Sequence, residues 1–140
     1  YFCLSNSFHA NGQQRGTGKS NFTYRPFTLE GNFAFAAGVQ EMLLQSHTGT
    51  VRIFPAIPAS WQDASFRQLR AQGAFLISAT REQGKVTTVE IDPTMGGTIR
   101  LADPFPAGTT PKISGAESVS NHDGVWEIVT RKGRPVRMTL

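Results

Sequence analysis

The sequence predicts an α+β chain in which one helix precedes a small antiparallel β-sandwich. Two observations carry this. Apolar residues recur at three- and four-residue spacing between Phe33 and Ser46, and the period falls to two from Thr50 onward. Hydrophobic residues make up 39% of the chain and charged residues 17%, a balance that supports a packed core and excludes wholesale disorder.

In chain order, residues 1–21 open with a short apolar run and turn polar and glycine-rich from His9 to Ser20. That stretch has no periodicity and reads as an exposed or substrate-side loop. Tyr1-Phe2-Cys3-Leu4 reads like the interior of an element, so a fragment of a longer chain is expected. Pro26 and Gly31 argue against a helix before Asn32, whose side chain is suited to cap an orphan N–H at the start of one. Phe35, Ala36, Val39, Met42 and Leu43 then form one apolar stripe, which Phe33, Ala37 and Leu44 widen; an enclosed helix is expected. Gly38 costs about 1 kcal/mol against alanine there. His47-Thr48-Gly49 supplies the stop.

The strand-rich half follows. Thr50 to Phe54 reads as a strand ended by Pro55, and Trp61 to Ser65 as a turn. Gly73–Thr80 and Lys85–Ile91 flank Arg81-Glu82-Gln83-Gly84, which predicts a β-hairpin. Thr98–Leu101 is a further strand. Gly124–Thr130 and Pro135–Leu140, joined by Arg131-Lys132-Gly133-Arg134, predict a second hairpin. Five or six short strands at this spacing form a small antiparallel sandwich.

Several function classes are argued against by the same residues. The net charge is +4, but the cations are scattered singly, and only residues 131–137 gather four of them. Without a charged stripe interleaved with aromatics, no nucleic-acid partner is expected. Cys3 is the single cysteine, and His9, His47 and His122 lack metal-ligand spacing, so no metal or other cofactor is expected. No apolar run approaches the roughly 20 residues of a membrane helix, and no membrane partner is expected. Gly16-Thr17-Gly18-Lys19-Ser20 ends like a phosphate-binding loop, but Gln13 stands where its first glycine belongs and Pro26 follows too soon for its helix.

Among the acids, Glu30 stands apart: it lies between Phe27/Leu29 and the expected helix, on a bend that Gly31 permits. A helix N-terminus favours its ionised form. Both a plain helix-start acid and one of the paired carboxylates of glycoside hydrolysis suit that position.

Three ordered blocks resemble family 95 glycoside hydrolases. They are Phe27-Thr28-Leu29-Glu30-Gly31-Asn32-Phe33 with Ala37 to Ser46, then Ile53 to Pro58 with Trp61, then Leu69 to Phe75. The resemblance covers roughly residues 21–102. It implies that residues 1–48 are the terminal segment of a helical (α/α)6 barrel and residues 49–140 a C-terminal β-domain. It further implies inverting hydrolysis of terminal α-L-fucosides on oligo- or polysaccharides, with Glu30 helping an upstream asparagine pair to activate water. The general acid also lies upstream, so the fragment alone is expected to be inactive. The resemblance also implies that Tyr24, Arg25 and Asn32 fall on the sugar-facing side. An extracytoplasmic location, secreted or periplasmic, is the family expectation.

Two departures bear on specificity. Glu30 stands where the family has aspartate, and Tyr24 where a histidine is common. A shift of about 1 Å in a reacting group costs on the order of a hundredfold in rate, so a related activity such as α-L-galactoside hydrolysis stays open. The competing reading is a non-catalytic β-rich module that supports the barrel or holds polysaccharide. For the two tryptophans, Trp126 reads as core, and Trp61 as a sugar platform or a wedge at the domain junction.

Overall fold

The computed structural model describes residues 29–140, with side-chain surroundings from Phe33 onward. Helix α1 (Leu29–Leu43) is followed by β1 (Leu44–Gln45), β2 (Arg52–Ile53), β3 (Ala64–Ala71), β4 (Phe75–Glu82) and β5 (Lys85–Pro93). The chain continues through β6 (Gly97–Ala102), β7 (Lys112–Ser114), β8 (Ser118–His122), β9 (Val125–Thr130) and β10 (Val136–Thr139). All ten strands belong to one compact unit, Gln40–Leu140; the described helical residues up to Val39 fall outside it.

The helix differs from the expectation at both ends. It runs through Gly31 and starts at Leu29, so Asn32 is an interior residue and not the N-cap. A single glycine costs only about 1 kcal/mol in a helix, too little to set a boundary. At the other end Leu44 leaves the helix and pairs with Ile53, so His47-Thr48-Gly49 is the turn of a short hairpin rather than a helix stop. Gly49 donates to the Ser46 carbonyl across that turn (3.2 Å), with φ of 78°. The expected enclosure is not seen: Phe33 is 64% and Phe35 71% exposed, while Val39, Met42 and Leu43 are half-buried.

Two antiparallel sheets enclose the core. The larger has the order β3-β4-β5-β10-β7 and the smaller β6-β9-β8. Alternation sets the inward faces: Phe75, Ile77 and Ala79 on β4, Val89 and Ile91 on β5, Val136 and Met138 on β10. Register aligns them into rows, with Ile91 opposite both Ile77 and Val136, and Val89 opposite both Ala79 and Met138. Across the sandwich, Ile99, Leu101 and Ile128 of the smaller sheet join the same buried cluster.

The β4–β5 hairpin forms as expected. Gln83 and Gly84 both take positive φ (49° and 77°), the type I′ geometry that matches strand twist. The Asp63 carboxylate accepts from the Gln83 amide (2.8 Å), and the Gln62 carbonyl from the Gly84 amide (2.8 Å). The 58–63 loop is thereby latched to the hairpin tip.

The second expected hairpin does not form. β9 pairs with β6 and β8, while β10 pairs with β5 and β7, so residues 131–135 carry the chain from one sheet to the other. Alternation is identical for a hairpin and a crossover when both arms face one core, and Ile128, Val136 and Met138 are all fully buried. Besides β1, which reads as the end of the helix, three strands were not legible. β3 contains a bulge between Phe66 and Leu69, which breaks the period of two. β7 has three residues, and β8 is exposed along its whole length.

Gly115, between β7 and β8, has φ of 88°, and a Cβ there would overlap the Pro135 carbonyl oxygen. Gly124 has φ of 74° and open space around it. Gly115→Ala is therefore expected to cost about 3 kcal/mol, the left-handed penalty plus backbone displacement, against about 1 kcal/mol for Gly124→Ala. Chemical denaturation of the two variants checks this; equal losses would mean that the Gly115 contact relaxes without cost.

Candidate functional site

The sequence-derived site falls mostly where nothing structural can be added. Tyr24 and Arg25 lie outside the described residues. Glu30 and Asn32 are in the first turn of α1, not on a bend before it, and their side chains lie outside the described part. The structure therefore neither brings these four together nor separates them. The Gly16–Ser20 segment is also outside.

Four acids of the β-domain have structural partners. Asp63 fixes the β4–β5 turn, and Asp103 accepts from the Phe105 amide (3.1 Å). Glu90 pairs with Arg137 (3.7 Å) and Glu127 with Arg100 (3.5 Å), all of them about half exposed. Such pairs contribute little to stability. Glu41 lies 3.7 Å from the His47 ring at the end of the helix. Among the described residues, no three His, Cys, Asp or Glu side chains gather closely enough to hold a metal ion. No described helix is long and apolar enough to cross a membrane.

Of the two tryptophans, Trp126 takes the core position expected of it. Trp126 packs against the core from β9, with a buried indole N–H that has no protein partner. Trp61 is 41% exposed on the latched loop, where its carbonyl accepts from Arg81 Nε (3.3 Å).

Concave surface is found on the outward side of the larger sheet. One open depression of about 850 Å³ lies at its end, around Ser65, Thr80, Glu82 and Lys85. A second, of about 240 Å³, sits over the β3 bulge and is bordered by Arg67, Ser78, Thr88, Glu90 and Arg137. Ser65 and Thr80 border both. Sequence reasoning did not find this surface, because it depends on β3 and on β10 lying beside β5.

With the sandwich and its preceding helix established, comparison with known proteins gives the chain a family. The family model described as the glycoside hydrolase family 95 C-terminal domain matches residues 45–138. The chain belongs to glycoside hydrolase family 95. It is 34% identical over 87 residues to alpha-L-fucosidase 2 of Arabidopsis thaliana, a match that covers 61% of this chain and 10% of that protein. The chain thus spans about a tenth of the length of the curated relative it matches.

Proposed function

We propose that the chain is the C-terminal part of an inverting exo-glycosidase that removes terminal α-L-fucose, or a closely related sugar, from oligo- or polysaccharides. In this reading residues 1–48 complete an (α/α)6 barrel contributed by upstream chain, and residues 49–140 form the β-domain that accompanies it. Glu30 in the first helical turn acts on the attacking water together with upstream asparagines, while Tyr24, Arg25 and Asn32 contact the sugar.

The observation that carries the reading is the family match over residues 45–138, taken with the fucosidase relative. Further support comes from α1, which runs directly into the matched domain and exposes Phe33 and Phe35. Fully burying such a side chain is worth roughly 1.5–3 kcal/mol, which gives this helix a reason to meet other helices. Asp63, Glu90, Asp103 and Glu127 of the β-domain are engaged in turns and surface pairs, and this reading assigns the chemistry to the helical part.

Proton NMR of the full-length protein acting on an aryl α-L-fucoside tests this directly. The first anomer released should be β-L-fucose, the inverted product. First release of the α-anomer would sink the inverting mechanism, and no release from any terminal α-L-fucoside or α-L-galactoside would sink the substrate class. The 140-residue chain alone should release nothing, since the general acid lies upstream.

A further inference from the structure

The outward face of the larger sheet carries the two depressions just described, joined at Ser65 and Thr80. Its register places hydroxyl and charged side chains in rows. Ser78 is opposite Glu90, which is opposite Arg137, and Thr80 is opposite both Ser65 and Thr88. The rows cross four strands, β3 to β10, which at about 4.8 Å per strand is roughly 14 Å of continuous polar surface. That exceeds one sugar ring.

Two features select the occupant. The first is a small net charge: Arg67, Arg81, Lys85 and Arg137 stand against Asp63, Glu82 and Glu90, an excess of one positive charge. An excess of one charge on so broad a surface gives a polyanion little to hold. The second is the density of groups that both donate and accept. Ser65, Thr80 and Thr88 carry hydroxyls, and the Ser78 hydroxyl, which accepts from the Gln68 amide (3.0 Å), keeps its own proton to donate. The face is built from strands rather than loops, so these groups are held in place before a ligand arrives.

We propose that this face binds the neutral oligosaccharide chain that carries the terminal sugar. The choice of a glycan as ligand class rests on the hydrolase reading; the site and its charge preference rest on the sheet.

Isothermal titration of the full-length protein with lacto-N-tetraose, a neutral chain without fucose, separates the two. The catalytic pocket has no terminal fucose to take from this probe, whereas the sheet face needs none. Saturable heat is expected, with affinity reduced about tenfold in Arg67→Ala/Arg137→Ala, equivalent to about 1.4 kcal/mol. Thr88→Val, which keeps shape and strand preference, should weaken binding severalfold and covers the case in which the double variant folds poorly. Hydrolysis of an aryl α-L-fucoside should be unchanged in both. No heat in the wild type, equal affinity in well-folded variants, or tighter binding of heparin than of lacto-N-tetraose would overturn the proposal. Loss of fucose release in the wild type would instead strike the hydrolase reading.

Discussion

Glu30→Gln in the full-length protein is expected to lower kcat on terminal α-L-fucosides at least about a hundredfold, with KM and melting temperature nearly unchanged. Glutamine keeps the length and the hydrogen-bonding capacity of the side chain and removes its charge and basicity. A positioned acid or base contributes typically 10²–10⁴-fold, and a group acting only on the attacking water lowers kcat and kcat/KM together. Removing a carboxylate from the first turn of α1 forfeits a dipole interaction worth only about 0.3–1 kcal/mol, so stability moves little. Glu30→Asp is the informative companion: it restores the family's aspartate and withdraws the carboxylate by one methylene. Full activity in Glu30→Gln would take this residue out of the mechanism. A fall in melting temperature that tracks the loss of activity would make it a helix-start acid only.

Ile91→Ala should destabilise the β-sandwich by about 2–5 kcal/mol. Ile91 is fully buried on β5 and lies between Ile77 and Val136 in the register, so truncation empties the centre of a row. The loss combines the transfer free energy of three carbons with a cavity that flanking strands cannot collapse to fill. Against a typical total of 5–15 kcal/mol for a domain, this is a large fraction. Val119→Ala on the exposed edge strand β8, where the side chain is 37% exposed, should stay within about 0.5 kcal/mol. Urea unfolding of both variants, read at constant m, checks the contrast. An Ile91→Ala loss below about 1 kcal/mol would mean that the two sheets do not share a tightly packed interior.

Wherever local chemistry was decisive, residues alone led to the structure. The β4–β5 hairpin was legible because Phe75, Ile77 and Ala79 alternate cleanly and Gln83-Gly84 suits a type I′ turn. The helix was legible from its stripe, but its start was not, because one glycine is a weak barrier against continuing hydrogen bonds. β3 was hidden by its own bulge, and β8 by having no buried face. Of the site, Glu30 stood apart by its position, and its catalytic role came only through a resemblance that three ordered blocks carry. Nothing in its immediate neighbours separated a catalytic acid from a helix-start acid.

Periodicity and turn residues thus settled the helix and those strands with a clean alternating buried face, since both act over a few neighbouring positions. Their partners were settled otherwise. Whether β10 folds back on β9 or crosses to β5 turns on which sheet has an unfilled edge beside a buried row, and that is a property of residues some fifty positions apart. The polar face spanning β3 to β10 exists only once that crossing is made, because its rows combine side chains that no local pattern connects.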